Sequence, residues 1–97
     1  MDDRDNIAVS GGALKLSVRK EAAPFTCKTP RSTYSTRYTA GMVSTYTKWS
    51  QTYGRFEFRA KFPAASTKGL HGALWMWPDN PLKYGPWPLS GEIDVAE

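Results

Sequence analysis

Glycine and proline recur along this 97-residue chain at intervals that argue against long helices. The chain contains eight Gly and seven Pro, and both residue types interrupt regular helices. The segments between them are short, and several alternate apolar with polar side chains, which is typical of strands that turn one face toward a core. The sequence therefore predicts an all-β fold made of short strands.

The apolar pattern predicts strands in four segments. A Gly11–Gly12 turn precedes residues 14–19, which alternate apolar and polar side chains as a half-buried strand does. Residues 38–46 have strand-like character, and residues 55–62 alternate cleanly, with Phe and Ala on one side and charged residues on the other. Residues 73–77 form a continuous apolar run, which predicts a buried strand.

Three segments are predicted to be loops or turns. Residues 21–37 contain Pro and many Ser and Thr with no periodic face, so we expect a loop there. We expect a turn at residues 63–69. Residues 78–91 contain four Pro and two Gly, which predicts a long, stiff loop, and ordered loops of this length are more often functional than mere connections.

Residues 92–97 place three carboxylates in one short apolar segment. Glu92 and Asp94 point to the same face of a strand because side chains alternate. Glu97 would face the opposite side of a regular strand. One extra residue, accommodated as a β-bulge near Val95 or Ala96, restores the parity. With that bulge, we expect all three acids to line one surface.

Two glutamates at this spacing suit glycoside hydrolysis. Four effective strand steps separate Glu92 and Glu97 by roughly 13 Å at the backbone, and inward-leaning side chains can approach the ~5 Å carboxyl separation of a retaining glycosidase. Two acids that close do not both ionise easily, so one keeps a proton as general acid while the other attacks as an anion. The alternative is a set of solvent-facing charges on an edge strand, which an isolated short motif would favour.

Three linked motifs favour a catalytic role for these acids over solvent-facing charges. They read Y-G-R-F-E-F-R-A-K-F-P from residue 53, G-L-H-G-A-L-W-M-W-P from residue 69, and Y-G-P-W-P-L-S-G-E-I-D-V-A-E from residue 84. In this order they resemble glycoside hydrolase family 16, specifically its laminarinase-like endo-β-1,3-glucanases. Residues 5–46 resemble the family more loosely.

The resemblance implies an antiparallel β-sandwich, the jelly roll of concanavalin-A-like proteins. That fold needs more than twice this length. We therefore expect residues 1–97 to be the N-terminal part of one catalytic domain, truncated after the catalytic motif, so that the sandwich is incomplete. Half a sandwich leaves an apolar face and strand edges uncovered, and we expect this part alone to be inactive and poorly folded.

The resemblance also implies roles for the three acids. Glu92 would be the nucleophile that forms the glycosyl-enzyme intermediate. Glu97 would be the acid/base that protonates the leaving oxygen and later activates water. Asp94 would hold and tune the nucleophile through charge and hydrogen bonding.

Four further residues are candidate substrate contacts by resemblance. Trp87 would line the cleft beside the cleaved bond, with a core position as the alternative. Trp75 matches a Trp of the family pattern and is a second sugar contact. Arg55 would donate hydrogen bonds to substrate hydroxyls, and a solvent-facing Arg is an equal alternative. His71 stands where many relatives have Trp, and its cleft role competes with the structural or surface role usual for a lone His.

Composition argues against several other classes of protein. The net charge of +4 comes from scattered Lys and Arg, so we expect no nucleic-acid partner. No apolar run approaches ~18 residues, so we expect no membrane span. We expect no transition-metal site and no catalytic cofactor. The resemblance allows a structural calcium ion, whose ligands the sequence does not identify. Cys27 is the single Cys and has no disulfide partner within these residues.

The expected partner is a β-glucan polysaccharide, and the expected parent protein is a secreted monomer, although no signal peptide is visible. Two alternatives remain open at this point. One is a non-catalytic β-glucan recognition protein, which the presence of both glutamates disfavours. The other is a related hydrolase or transglycosylase that acts on another β-glucan or a galactan. Two residues between Asp94 and Glu97 resemble the laminarinase type, whereas lichenases and plant transglycosylases usually have one.

Overall fold

The computed structural model describes residues 4–64 and 68–97. These residues belong to two compact units, Met1–Ser44 and Thr45–Glu97. The first unit contains a short 3-10 helix at Arg4–Asn6 and four strands. These strands are β1 (Ile7–Ser10), β2 (Ala13–Leu16), β3 (Val18–Lys28) and β4 (Thr33–Ala40). The second unit contains β5 (Leu74–Met76) and β6 (Ile93–Ala96).

The six strands in the described residues form three separate pairs. The pairs β1–β2, β3–β4 and β5–β6 form three separate two-stranded sheets, and all three are antiparallel. The described residues contain no α-helix. The predicted all-β, antiparallel fold class is therefore confirmed, and the separate sheets are what an incomplete β-sandwich would present.

The predicted Gly11–Gly12 turn is confirmed. These two glycines connect β1 to β2 with φ angles of +60° and +72°. A two-residue hairpin with positive φ at both positions matches the right-handed twist of the flanking strands, and glycine adopts it without steric cost. The turn sets the register in which Ser10 faces Ala13 and Ile7 faces Leu16.

The predicted loop at residues 21–37 is wrong. Most of it lies in β3 and β4, which pair from Val18 opposite Ala40 to Lys28 opposite Thr33. The prolines do not prevent this pairing because they fall where no ladder hydrogen bond is needed. Pro24 lies in the register shift between Lys20 and Phe25, and Pro30 lies in the connection between the strands. Proline is tolerated at such irregularities.

A small polar cluster holds the first unit together. Asn6 and Thr39 are 2% and 4% exposed. The Asn6 Nδ2 group donates to the Ser17 carbonyl oxygen at 2.8 Å and to Thr39 Oγ1 at 3.1 Å. Thr39 Oγ1 in turn donates to Glu21 Oε1 at 2.8 Å. Each buried group thus has a partner, as burial requires.

Cys27 lies opposite Tyr34 in the β3–β4 ladder, and it is a free thiol. A hydrogen bond with the Cys27 side chain raises the pKa of the Tyr34 hydroxyl above its ordinary value, since that bond favours the neutral phenol.

The predicted burial of apolar strand faces is wrong for the residues that the structure describes. Leu14, Leu16 and Val18 are each about half exposed, and no apolar side chain among residues 4–64 and 68–97 is buried. A two-stranded sheet cannot cover its own apolar face, so burial needs a second layer. The alternating pattern is present, but nothing in the described residues covers it.

Two further strand predictions fail. Residues 55–62 have no regular secondary structure, despite their clean alternation, because alternation becomes a strand only when a neighbour completes the hydrogen-bond ladder. The predicted strand at residues 38–46 ends at Ala40, and a turn follows in which Lys48 and Trp49 donate to the Thr45 carbonyl.

The strand predicted at residues 73–77 is confirmed over Leu74–Met76 as β5, but its predicted burial is wrong, since Trp75 is exposed. The predicted loop at residues 78–91 is also confirmed. It is closed by Ser90 Oγ, which donates to the Gly85 carbonyl at 2.8 Å and accepts from the Tyr84 amide at 3.1 Å. The predicted turn at residues 63–69 lies partly outside the described residues, and Lys68 and Gly69 form a turn within them.

No helix in the described part of the chain has the length and apolar character needed to cross a bilayer.

Candidate active site

The register between β5 and β6 contains the predicted bulge. Met76 lies opposite Ile93 and Trp75 lies opposite Asp94, but Leu74 lies opposite Ala96. One step along β5 therefore matches two steps along β6, and Val95 is the extra residue. A bulge of this kind restores the facing direction of the residues that follow it. Glu97 consequently returns to the face that carries Asp94.

The three acids line one cavity. Its walls are formed by six side chains, namely His71, Ala73, Trp75, Glu92, Asp94 and Glu97. The cavity has a volume of about 250 Å³, slightly below the roughly 300–1,000 Å³ of typical ligand sites. The structure thus brings together the three carboxylates and two of the four candidate substrate contacts.

Trp75 belongs to β5, and the other two residues of this wall, His71 and Ala73, precede that strand. The three residues are spaced two apart, the spacing at which side chains of a strand share a face. Gly72 lies between them, and a Cβ atom there would come within 2.7 Å of the Phe62 ring. The absence of a side chain at Gly72 therefore lets Phe62 approach the backbone closely.

Trp87 contacts the cavity through Glu92. Its indole Nε1 donates a hydrogen bond to Glu92 Oε2 at 2.8 Å, while the indole itself is 64% exposed. A donor to a carboxylate stabilises the anionic form and restricts its orientation. The long loop thus reaches the acidic strand through a specific polar contact, and the exposed ring is free to contact a ligand.

His71 lies next to Glu97. The distance from His71 Nε2 to Glu97 Oε1 is 3.4 Å, and the two side chains are 66% and 56% exposed. An exposed pair at this distance adds little to the free energy of folding. The pair matters for the geometry of the cavity, because it puts the imidazole beside the last carboxylate of the acidic segment.

Trp75 and Trp77 form an aromatic pair beside the acids. Their ring centroids lie 5.4 Å apart with an interplanar angle of 83°, an edge-to-face arrangement that aromatic rings favour. Trp75 lines the cavity and Trp77 supports it from outside. A partly exposed indole face beside carboxylates is the kind of surface on which the apolar face of a sugar ring stacks.

Arg55 is not brought to the cavity. Its guanidinium Nη2 lies 2.6 Å from Glu57 Oε1, and both side chains are largely exposed. The cavity walls do not include it. In this structure Arg55 therefore makes the surface ion pair that its position on an alternating segment allowed as the alternative.

Sequence reasoning did not predict two features of the cavity. It did not place Ala73 in the wall, and it did not pair His71 with Glu97. The two-residue spacing of His71, Ala73 and Trp75 was the signal available for both. That spacing predicts these positions only when the register between β5 and β6 is known, and the local sequence pattern does not specify the register.

The described residues contain no group of three or more His, Cys, Asp or Glu side chains arranged to hold a metal ion. The structural calcium expected by resemblance therefore stays a prediction without assigned ligands. Each of the three carboxylates in the cavity has a different neighbour. Glu92 accepts a hydrogen bond from the Trp87 indole, and Asp94 lies opposite Trp75 in the strand pair. Glu97 lies beside the His71 imidazole. Acids with different surroundings are able to take different roles in proton transfer.

The described residues combine antiparallel strands with a cavity lined by three carboxylates and an indole. Comparisons with known proteins show which proteins the chain is similar to. The chain is 39% identical over 92 residues to a glucan endo-1,3-β-glucosidase A1 from Niallia circulans, with 95% of this chain and 13% of that protein covered. It is 40% identical over 95 residues to a β-glucanase from Rhodothermus marinus, with 96% of this chain and 29% of that protein covered. The predicted resemblance to the laminarinase-like group of glycoside hydrolase family 16 is therefore confirmed.

A relative that is named as a binding protein rather than an enzyme is also similar to the chain. The chain is 44% identical over 59 residues to a β-1,3-glucan-binding protein from Penaeus monodon, with 61% of this chain and 15% of that protein covered. No family model matches the chain, and no solved structure matches it. The matched part of the chain spans less than a third of the length of each of these three relatives.

Proposed function

We propose that the protein carrying this chain is a retaining endo-β-1,3-glucanase, and that residues 1–97 supply the N-terminal part of its catalytic domain. Glu92 is the nucleophile, Glu97 the acid/base and Asp94 the residue that tunes Glu92. The proposal is supported by homology to endo-acting β-glucanases over nearly the whole chain. It rests above all on the bulge at Val95, which turns Glu97 toward the cavity shared with Glu92 and Asp94.

In the first step, the Glu92 carboxylate forms a bond to the anomeric carbon while the bond to the leaving sugar breaks. Glu97 gives its proton to the departing glycosidic oxygen. In the second step, Glu97 takes a proton from water, water attacks the same carbon, and Glu92 leaves as a carboxylate. Two inversions retain the configuration. The chemistry needs no metal or organic cofactor.

The aromatic residues bind and orient the sugar. Trp75 offers an exposed ring in the cavity wall, and Trp87 combines an exposed ring with a hydrogen bond to Glu92. The indole donor restricts the orientation of the nucleophile, which favours a near-attack geometry. Arg55 contributes only if substrate draws it away from Glu57.

The partner is a β-glucan polysaccharide, and the similarity to a glucan endo-1,3-β-glucosidase and to a β-1,3-glucan-binding protein supports this partner. A polymer of that kind does not cross membranes, so we place the protein outside the cell. We propose that it acts as a monomer, because the acids that it needs all lie on one strand and its flanking residues.

The decisive experiment is Glu92→Gln in the protein at its natural length. The amide cannot attack the anomeric carbon, so release of reducing sugar from laminarin should fall by a factor of about 10⁴ or more. Binding of laminarin should stay within a few-fold, because the amide keeps the shape of the carboxylate. Asp79→Asn is the control, since it makes the same carboxylate-to-amide change at an exposed residue outside the cavity wall. Hydrolysis at the wild-type rate in Glu92→Gln would refute the nucleophile assignment.

The second candidate is a β-glucan recognition protein without catalysis, which the relative from Penaeus monodon favours. It predicts laminarin binding by the wild type with no release of reducing sugar at any enzyme concentration. Parallel assays on mixed-linkage glucan and on agarose identify a related hydrolase of another substrate. Cleavage of agarose but not laminarin would replace the glucan assignment with a galactan.

A further inference from the structure

We propose that His71 is a positioning residue for Glu97, and that it sets which oxygen of that carboxyl group carries the proton delivered to the leaving sugar. The inference rests on the proposed retaining hydrolysis, in which Glu97 is the acid/base. It adds a residue that acts through Glu97 rather than on substrate.

The contact is specific to one end of the cavity. His71 Nε2 lies 3.4 Å from Glu97 Oε1, whereas the Trp87 indole serves Glu92. Among the six side chains that line the cavity, His71 is the one basic group and the acids are Glu92, Asp94 and Glu97. The two candidate catalytic glutamates thus have different neighbours: an indole that only donates, and an imidazole that can donate or accept.

The backbone holds this arrangement in place. Ala73 and Trp75 share the face of His71 at two-residue spacing, and Trp75 lies opposite Asp94 in the ladder. The bulge at Val95 turns Glu97 toward the same face. The pairing of β5 with β6 therefore brings together the residues that precede β5 and follow β6, among them His71 and Glu97.

The chemical consequence follows from the two oxygens of a carboxyl group. An imidazole N–H that donates to Oε1 leaves Oε2 as the oxygen that carries the acidic proton. In the first step that proton moves from Oε2 to the glycosidic oxygen, as the bond to the leaving sugar breaks and Glu92 bonds to the anomeric carbon. With the imidazole removed, either oxygen can hold the proton and the side chain can rotate. A smaller fraction of Glu97 is then aligned with the leaving oxygen.

The test compares two leaving groups in the protein at its natural length. Cleavage of laminarin needs a proton on the leaving oxygen, whereas a dinitrophenyl β-laminaribioside releases a phenolate that needs none. The quantity to measure is kcat/KM, because it reports the first chemical step and excludes the later hydrolysis of the intermediate. The variants are His71→Ala and His71→Gln, the second of which keeps an N–H donor. Lys83→Ala is the control, since Lys83 is an exposed basic residue of the same unit that stacks on Tyr84 and lies outside the cavity wall.

We expect His71→Ala to lower kcat/KM for laminarin by about tenfold, through kcat and with KM nearly unchanged. The same variant should leave kcat/KM for the dinitrophenyl substrate within about twofold of the wild type. His71→Gln should recover most of the loss on laminarin, and Lys83→Ala should behave as the wild type on both substrates. Thermal unfolding midpoints show whether His71→Ala is folded. If it is not, the comparison of His71→Gln with the wild type on the two substrates tests the positioning role.

Equal losses on the two substrates would overturn the inference, because they indicate a structural or substrate-binding role. Unchanged activity on laminarin in His71→Ala would overturn it as well. If the wild type cleaves laminarin in either case, the proposed function stands and the positioning role alone fails. A wild-type protein that cleaves neither substrate refutes both.

Discussion

A residue added or removed between Asp94 and Glu97 tests the bulge that carries the functional proposal. The ladder places Trp75 opposite Asp94 and Leu74 opposite Ala96, with Val95 as the extra residue. Glu97 therefore lies two effective strand steps after Asp94. A single deletion and a single insertion at this place have opposite consequences for the direction in which Glu97 points.

Deletion of Val95 removes the bulge but keeps the pairing. Ala96 then follows Asp94 directly, still opposite Leu74, and Glu97 remains two steps from Asp94 on the same face. An alanine inserted between Ala96 and Glu97 adds one step of roughly 3.3 Å and turns the Glu97 side chain to the opposite face of the strand. The cavity then contains Glu92 and Asp94 but no acid/base.

The expected sizes of the two effects differ widely. General acid/base catalysis contributes about 10²–10⁴ in rate, so the insertion should lower kcat/KM for laminarin by that factor. The deletion should cost about tenfold or less, because the carboxyl group stays within reach and loses only alignment. An energy difference of about 1.4 kcal/mol or more in transition-state stabilisation separates the two variants.

The assay is release of reducing sugar from laminarin by the protein at its natural length, with thermal unfolding as the control for folding. Azide supplies a second readout, because an external anion can attack the glycosyl-enzyme intermediate without help from a base. Azide should speed turnover of the dinitrophenyl substrate in the insertion variant and have little effect in the deletion variant. A deletion as damaging as the insertion, with both proteins folded, would refute the parity argument.

Two further predictions concern stability. Asn6→Ala should lower the free energy of unfolding of the protein at its natural length by about 1–3 kcal/mol, because a residue that is 2% exposed then loses its hydrogen bonds to the Ser17 carbonyl and Thr39 Oγ1. Ser10→Ala, at an exposed position of β1, is the control. Equal midpoints of chemical denaturation for Asn6→Ala and the wild type would contradict this prediction. The 97-residue chain by itself should show no cooperative thermal transition, since none of its described apolar side chains is buried; a sharp calorimetric peak from the purified chain would contradict this one.

Local features of the chain were predictable because their causes are local. The Gly11–Gly12 turn follows from the conformational freedom of glycine, and the loop at residues 78–91 follows from its prolines. The prediction that Glu92 and Asp94 share a face required only the two-residue period of a strand. The prediction of β5 required only a short apolar run. The bulge was predicted from parity, given the assumption that the three acids share a surface.

The wrong predictions all depended on a neighbour that local pattern does not reveal. Residues 55–62 alternate cleanly yet have no regular structure, because a strand is stabilised by the ladder that it forms with another strand. Residues 21–37 look irregular yet lie mostly in β3 and β4. The register shift between Lys20 and Phe25 accommodates the proline that suggested a loop.

The sequence by itself determined the all-β class, the family resemblance and which side chains are available for chemistry, because these depend on residue type and spacing. Only the tertiary structure decided that Val95 is the residue left out of the ladder, that Trp87 reaches Glu92, and that His71 reaches Glu97. The contact of Trp87 with Glu92 depends on the fold of the loop at residues 78–91. The other two facts depend on the pairing of segments far apart in the chain. That pairing is set by backbone hydrogen bonds between β5 and β6, which no local pattern specifies.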